Sequence, residues 1–173
     1  SNENINHSIL DNIALEQIYK DKKLTIYLND IDVSEKIRGF KVSVNVSNYA
    51  KIPEIRNFVY KQLRKSVKSN SLVIDGRDIG TVVFPEAELK FYLEASAELR
   101  SERRFEELKE TDENISFNEV YNNINLRDTQ DINRSNSPLI KASDAILIDT
   151  ENLNLDQVES KILEYINFSN LNS

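Results

Sequence analysis

Cysteine is absent from these 173 residues, so neither a disulfide nor a cysteine nucleophile can come from them. Histidine occurs once, as His7, which leaves no zinc-type cluster and, so near a terminus, reads as a solvated surface residue. Methionine is missing too, and the chain starts with Ser1, which raises the expectation of a processed product or a fragment with something upstream. No apolar run approaches the roughly 18 residues that cross a membrane, and no signal peptide is visible, so a cytoplasmic location fits. Positive charge is in deficit: 22 Lys and Arg stand against 29 Asp and Glu, a net charge of -7. That balance argues against sequence-independent nucleic-acid binding, which needs a basic field over a large surface. With 39% apolar and 29% charged residues, the composition is that of a soluble globular domain with room for an inserted lobe.

Glycine is the most informative scarcity. Usage of about 7% would supply roughly a dozen, yet there are three, and Gly76 and Gly80 both fall in the stretch Leu72-Val-Ile-Asp-Gly-Arg-Asp-Ile-Gly80. The short run Leu72-Val73-Ile74 does not alternate, which predicts a strand buried on both faces, as in a parallel sheet. Asp75, Arg77 and Asp78 follow at what would be the carboxyl edge of that strand, where open α/β sheets bind ligands. The glycines would allow a sharp turn or a close approach to a ligand. An ordinary Asp-Gly turn with an exposed ion pair fits the same residues.

Along the chain, Ile5, Ile9, Leu10 and Ile13 predict an amphipathic helix over the first twenty residues, ending near Lys20. Leu24-Thr-Ile-Tyr-Leu28, a two-residue turn Asn29-Asp30 and Ile31-Asp-Val33 predict a hairpin. Pro53 suits a first helical turn, with Ile55, Val59, Leu63 and Val67 as its apolar stripe and Lys61, Arg64, Lys65 and Lys68 on other faces. That basic helix could touch nucleic acid or phosphate, but a solvated face is the commoner use. A strand is expected at 89–93, then a helix capped by Ser96 with Arg100, Arg103 and Arg104 on one side. Those arginines fit either exposed salt bridges with Glu102, Glu106 and Glu107 or a phosphate clamp. Ser116-Phe-Asn-Glu119 is a capping box, with Ile115 and Val120 placed as a hydrophobic staple. A helix running on from it would put Arg127, Asp131 and Arg134 on one stripe. The spacing suits a surface network worth tenths of a kcal/mol per pair, or a site that holds a sugar hydroxyl and a phosphate together. A third strand at 145–149 and a helix capped by Asn154, with Leu155, Val158, Ile162 and Ile166 facing inward, complete a parallel α/β sheet with right-handed crossovers. The Asn-rich tail after Phe168 reads as disordered.

Asp75-Gly-Arg-Asp-Ile-Gly-Thr-Val-Val-Phe-Pro-Glu-Ala-Glu-Leu-Lys90, Arg127-Asp-Thr-Gln-Asp-Ile-Asn-Arg134, Ser137-Pro138-Leu139, the segment 141–149 and Ser47-Asn-Tyr-Ala-Lys-Ile-Pro-Glu-Ile-Arg56 together resemble bacterial cytidylate kinase. The resemblance covers nearly the whole chain. It implies a P-loop NTPase of the nucleoside monophosphate kinase fold, an α/β core with a parallel sheet. Residues 1–21 and 69–169 would form that core, with a lid at about 97–135; residues 22–68 would be an inserted monophosphate-binding lobe, and 170–173 a disordered tail. The implied reaction moves the γ-phosphoryl group of ATP to CMP or dCMP with Mg²⁺, in a monomer that needs neither nucleic acid nor membrane. Positions matching Ser47, Arg56 and Asp78 would recognise cytosine, those matching Arg77 and Arg134 the phosphate, and those matching Arg127 and Asp131 the ribose. Arg103 and Arg104 would stabilise the transferring phosphoryl group, and Asp75 would hold Mg²⁺ directly or through water. The chain departs from the family at one point: no G-x-x-x-x-G-K-[S/T] phosphate loop occurs in it. The expectation is therefore a cytidylate kinase lacking its first, phosphate-loop strand and inactive alone, or else a non-catalytic pyrimidine-nucleotide-binding module.

Overall fold

The computed structural model describes residues 7–21, 23–66, 72–110 and 114–171. They fall into two compact units, Ser1–Val73 and Ile74–Ser173.

In the first unit, helix α1 (His7–Asp11) ends at Asp11, well before Lys20, where the apolar spacing predicts its end. The chain turns out of it at Asn12 and Ile13 and enters strand β1 (Leu15–Lys20), which pairs antiparallel with β2 (Lys23–Leu28) along six positions. The helical reading of the first twenty residues is corrected here. Local spacing carried no information about β2, and a ladder with a neighbouring strand outweighs a weak helical period. Asn29 and Asp30 both have positive φ, 48° and 64°, the geometry of a tight hairpin turn whose twist suits its strands. Short strand β3 (Ile31–Asp32) returns beside β2, with Leu28 opposite Ile31. Ser34 closes this corner: its N–H and Oγ–H both donate to Asp32 Oδ1, while its Oγ accepts from Ile26 N–H. Helix α2 (Phe40–Ala50) and helix α3 (Pro53–Ser66) follow, with Pro53 in the first turn as expected. Lys61, Arg64 and Lys65 are exposed on α3, whereas Val67 and Lys68 lie outside the described residues.

The second unit is α/β. Strand β4 (Phe91–Glu94) lies parallel to β5 (Ile146–Asp149), with Phe91 opposite Ile146 and Glu94 opposite Asp149. Between them come α4 (Ala97–Lys109) and α5 (Phe117–Asn133), which pack together through the edge-on rings of Phe105 and Phe117 and the buried Leu108 and Val120. After β5, helix α6 (Leu155–Leu171) lays Tyr165 against Phe91.

Three expectations change here. Leu72-Val73-Ile74 is irregular, with Val73 97% exposed, because among the described residues no strand hydrogen-bonds to it. An apolar run becomes a buried strand only where a ladder meets it. Leu155 is 82% exposed although Val158, Ile162 and Ile166 are half-buried. As the first helical residue its side chain leans back past the helix start, where no turn of its own lies beneath it. Finally, α6 continues to Leu171, beyond Phe168 where the chain was expected to lose structure.

The caps are as the sequence implies, and they carry a pH signature. Ser116 donates its Oγ–H and N–H to Glu119 and accepts Glu119 N–H at its Oγ, which holds the Glu119 carboxyl below its ordinary range. Ser96 N–H and Oγ–H do the same for Glu151. A carboxylate with a lowered folded pKa stabilises the fold above its unfolded value, and that contribution disappears as pH falls through the folded value. The melting temperature should therefore hold steady down to the ordinary glutamate value of 4.5 and then fall. Glu119→Gln with Glu151→Gln should be less stable near neutrality and show a shallower acid limb; an acid limb of unchanged steepness would exclude these two groups as its source.

Candidate active site

The second unit gathers three arginines around one carboxylate. Helix α5 places Arg127 and Asp131 one turn apart, and Arg134 stands at its C-cap. Arg77 arrives from the loop after Ile74. Asp131 is 3% exposed and meets Arg77 Nε at 3.1 Å through Oδ2 and Arg134 Nη1 at 3.0 Å through Oδ1. Arg127 Nε is 3.8 Å from Oδ2, an ion-pair distance beyond hydrogen-bond reach, and this buried N–H has no acceptor among the described residues. The turn Ser137-Pro138-Leu139 folds back on the helix end. Ser137 has φ 52° and offers its carbonyl to Arg134 Nε, and Leu139 N–H donates to the Asp131 carbonyl at 2.7 Å.

Asp131 is buried, as the central carboxylate of a fully solvated helix network would not be, while Arg77 and Arg127 stay partly exposed. Three guanidiniums and one carboxylate give the cluster a formal charge of +2. Desolvation pushes the Arg127 guanidinium below its ordinary pKa, repulsion from Arg77 adds to this, and Asp131 opposes it. An anion with several acceptor oxygens would supply the missing partner and offset the repulsion.

The loop that carries Arg77 is shaped by its glycines, although neither has positive φ. Neither turn there needs the left-handed region, and what the two glycines permit is close approach by neighbouring side chains. A Cβ on Gly76 would meet Ile79 Cγ1 at 2.8 Å, and one on Gly80 would meet the Lys90 stem at 3.2 Å. Residues Ile79–Val83 form a π-type turn whose N–H groups at Val82 and Val83 converge on the carbonyl of buried Asp78. Lys90, buried along its stem, ties this loop down by donating to Asp144 Oδ2 and to the Pro85 carbonyl.

The other expected residues have their own places. Arg103 donates to Thr150 Oγ1, Thr150 O and Leu153 O at the end of β5, and Arg104 pairs with Glu107 at 2.9 Å. Arg104 also lies near enough to add to the repulsion on Arg127. Asp75 is exposed. Among the described residues no group of three or more His, Cys, Asp or Glu could hold a metal by itself. A lone carboxylate still suits Mg²⁺, which keeps several waters and takes one or two carboxylates together with substrate phosphates.

In the first unit, Ser47 on α2 is buried, its Oγ without a partner among the described residues. Arg56 on α3 is 7% exposed, donating from Nε to Tyr60 Oη at 2.7 Å and from Nη1 to the Ala50 carbonyl at 3.0 Å. Sequence reasoning missed Tyr60, although its i, i+4 spacing from Arg56 is the signal that could have found it. It also missed Lys90 and the Arg100–Asp128 ion pair that joins α4 to α5 at 2.7 Å.

The second unit is thus a parallel α/β unit that carries a net-positive arginine cluster around the buried Asp131. A family profile described as cytidylate kinase matches residues 2–168, and the chain belongs to that family. It is 44% identical over 142 residues to a cytidylate kinase of Flavobacterium psychrophilum, covering 82% of this chain and 63% of that protein. A cytidylate kinase of Fervidobacterium nodosum is 43% identical over 158 residues, covering 91% of this chain and 70% of the relative. One from Carboxydothermus hydrogenoformans is 43% identical over 162 residues, covering 94% and 73%. The chain thus spans less than two thirds of the Flavobacterium protein's length. No helix among the described residues is long and apolar enough to cross a membrane. Membership implies the nucleoside monophosphate kinase fold, in keeping with the α/β unit and its parallel strands.

Proposed function

We propose that this chain binds CMP or dCMP and, as part of a complete enzyme, receives on it the γ-phosphoryl group of ATP, releasing ADP and the nucleoside diphosphate. The observation that carries the proposal is the cluster of Arg77, Arg127 and Arg134 around the buried Asp131, whose charge of +2 suits a nucleotide phosphate and whose Arg127 Nε–H, without an acceptor among the described residues, suits a ribose oxygen. In this reading Arg77 and Arg134 turn toward the phosphate while Asp131 and Arg127 meet the ribose hydroxyls, a carboxylate being the natural acceptor there. Residues 22–68 act as the lobe that reads the base, through Ser47 and Arg56 together with Asp78.

During transfer, an oxygen of the CMP phosphate attacks the γ-phosphorus and the bond from the γ-phosphorus to the β–γ bridging oxygen breaks. Arg103 and Arg104 oppose the charge spread over the transferring group. Asp75 would hold Mg²⁺, which when bound neutralises charge on the phosphate oxygens. The protein acts as a monomer on small molecules. These 173 residues contain no phosphate-loop pattern, so on their own they are proposed to bind CMP with little or no turnover, because phosphoryl transfer rests on positioning and electrostatics.

Titration calorimetry with CMP, alongside a CMP-dependent ADP-release assay, tests both statements. Saturable CMP binding without turnover by the chain as it stands, and turnover once a phosphate-loop segment precedes Ser1, is the expected pair of results. Absence of CMP binding would overturn the assignment. Binding with no turnover in the extended protein would favour a non-catalytic pyrimidine-nucleotide module.

A further inference from the structure

We propose that Tyr60 is a positioning residue that fixes Arg56 for the discrimination of cytosine from uracil. The inference rests on the reading above that Arg56 contacts the base. Both residues lie on α3, one turn apart. The phenol accepts the Nε–H of Arg56 at 2.7 Å, and the guanidinium carbon sits 5.1 Å from the Tyr60 ring centroid. A second nitrogen, Nη1, donates to the Ala50 carbonyl at the end of α2. Two of the three guanidinium nitrogens are thereby committed to partners on two different helices, which fixes the plane of the group and not merely its position.

That orientation has chemical value. Cytosine and uracil have nearly the same shape but differ at N3, which accepts a hydrogen bond in cytosine and carries a hydrogen in uracil. A rigid guanidinium presented to that edge satisfies the first and sets donor against donor with the second. A mobile one swings aside and loses the distinction. Tyr60 therefore contributes selectivity by preorganising Arg56, without touching the nucleotide itself.

The test is calorimetry with CMP and UMP on the 173-residue chain. Tyr60→Phe keeps the ring under the guanidinium and removes the acceptor. It should raise the CMP dissociation constant about tenfold, the scale of a hydrogen bond to a charged group, while changing that of UMP by less than about twofold. In an Arg56→Ala background the same change should alter CMP binding by less than about twofold, because a residue that acts through another has no effect once that other is gone. Should Arg56→Ala fail to fold, Arg56→Lys takes its place, since it retains the charge and lacks the Nε–H. Equal loss of CMP and UMP, or an undiminished Tyr60→Phe effect in the Arg56 background, would overturn the inference while leaving the base contact intact. CMP binding indifferent to Arg56→Ala would overturn the base contact itself, and the role of Tyr60 with it.

Discussion

Asp131→Ala should cost the fold about 3–5 kcal/mol and abolish CMP binding, the largest effect expected of any single change in this chain. The carboxylate is almost wholly buried and is the common partner of Arg77, Arg127 and Arg134, whose contacts with it run from 3.0 to 3.8 Å. Removing it leaves three guanidiniums facing one another, with Arg134 deprived of solvent, its side chain being 7% exposed. Such a group cannot escape by losing its proton, since arginine stays charged at any accessible pH. Asp131→Asn should cost nearly as much despite its equal size. The amide can accept from one arginine, but its NH₂ then points a donor at another. Urea denaturation of the two variants at matched slope reads the difference directly. Phosphate should recover part of the loss by taking the place of the missing charge. A cost below about 1 kcal/mol for Asp131→Ala would return the cluster to the solvated helix network that its spacing alone allowed.

How much of this could be read in advance follows from how far apart the interacting residues are in the chain. The hairpin turn at Asn29-Asp30 and the caps at Ser96, Ser116 and Asn154 are set by residues within a few positions of one another, and all appear as expected. Arg127, Asp131 and Arg134 were legible as a stripe for the same reason. Arg77 was not legible as their partner, because it meets Asp131 across 54 positions and only the fold brings them together. The same limit explains both misread segments. Leu15–Lys20 is a strand because β2 lies beside it, and Leu72–Ile74 is not one because no ladder among the described residues meets it, facts that no local pattern contains. Of the two uses of glycine that the sequence allowed in this loop, a sharp turn and a close approach, packing displays close approach, by side chains. Gly76 and Gly80 are needed for what passes over them, Ile79 and the stem of Lys90, and not for a left-handed backbone. The resemblance to cytidylate kinases added what local patterns could not, the expectation that Arg77 and the α5 stripe share one ligand.

Arg127→Leu should move stability and binding in opposite directions: the ligand-free chain becomes more stable by about 1 kcal/mol, while CMP binding weakens about a hundredfold. Arg127 is two-thirds buried, its Nε–H has no acceptor among the described residues, and Arg77 repels it. Its folded pKa lies below the ordinary arginine value. The unfolded chain therefore holds this proton more tightly than the folded one, and the charge opposes folding at every pH below that range. A leucine removes the charge and fills much of the same space. Once a phosphate or ribose oxygen reaches the Nε–H, however, the same group becomes a desolvated, charge-assisted donor, and its loss is felt in full. Melting curves with and without CMP separate the two effects: the variant should melt higher than the parent when empty, and saturating CMP should raise its midpoint far less. A variant that melts lower when empty and binds CMP as well as the parent would mean that Arg127 serves the fold. The contrast with Asp131 is the sharper test of the site. Both residues should be needed for CMP, yet one holds the empty cluster together and the other strains it, as expected where an arginine is kept for a ligand and not for the fold.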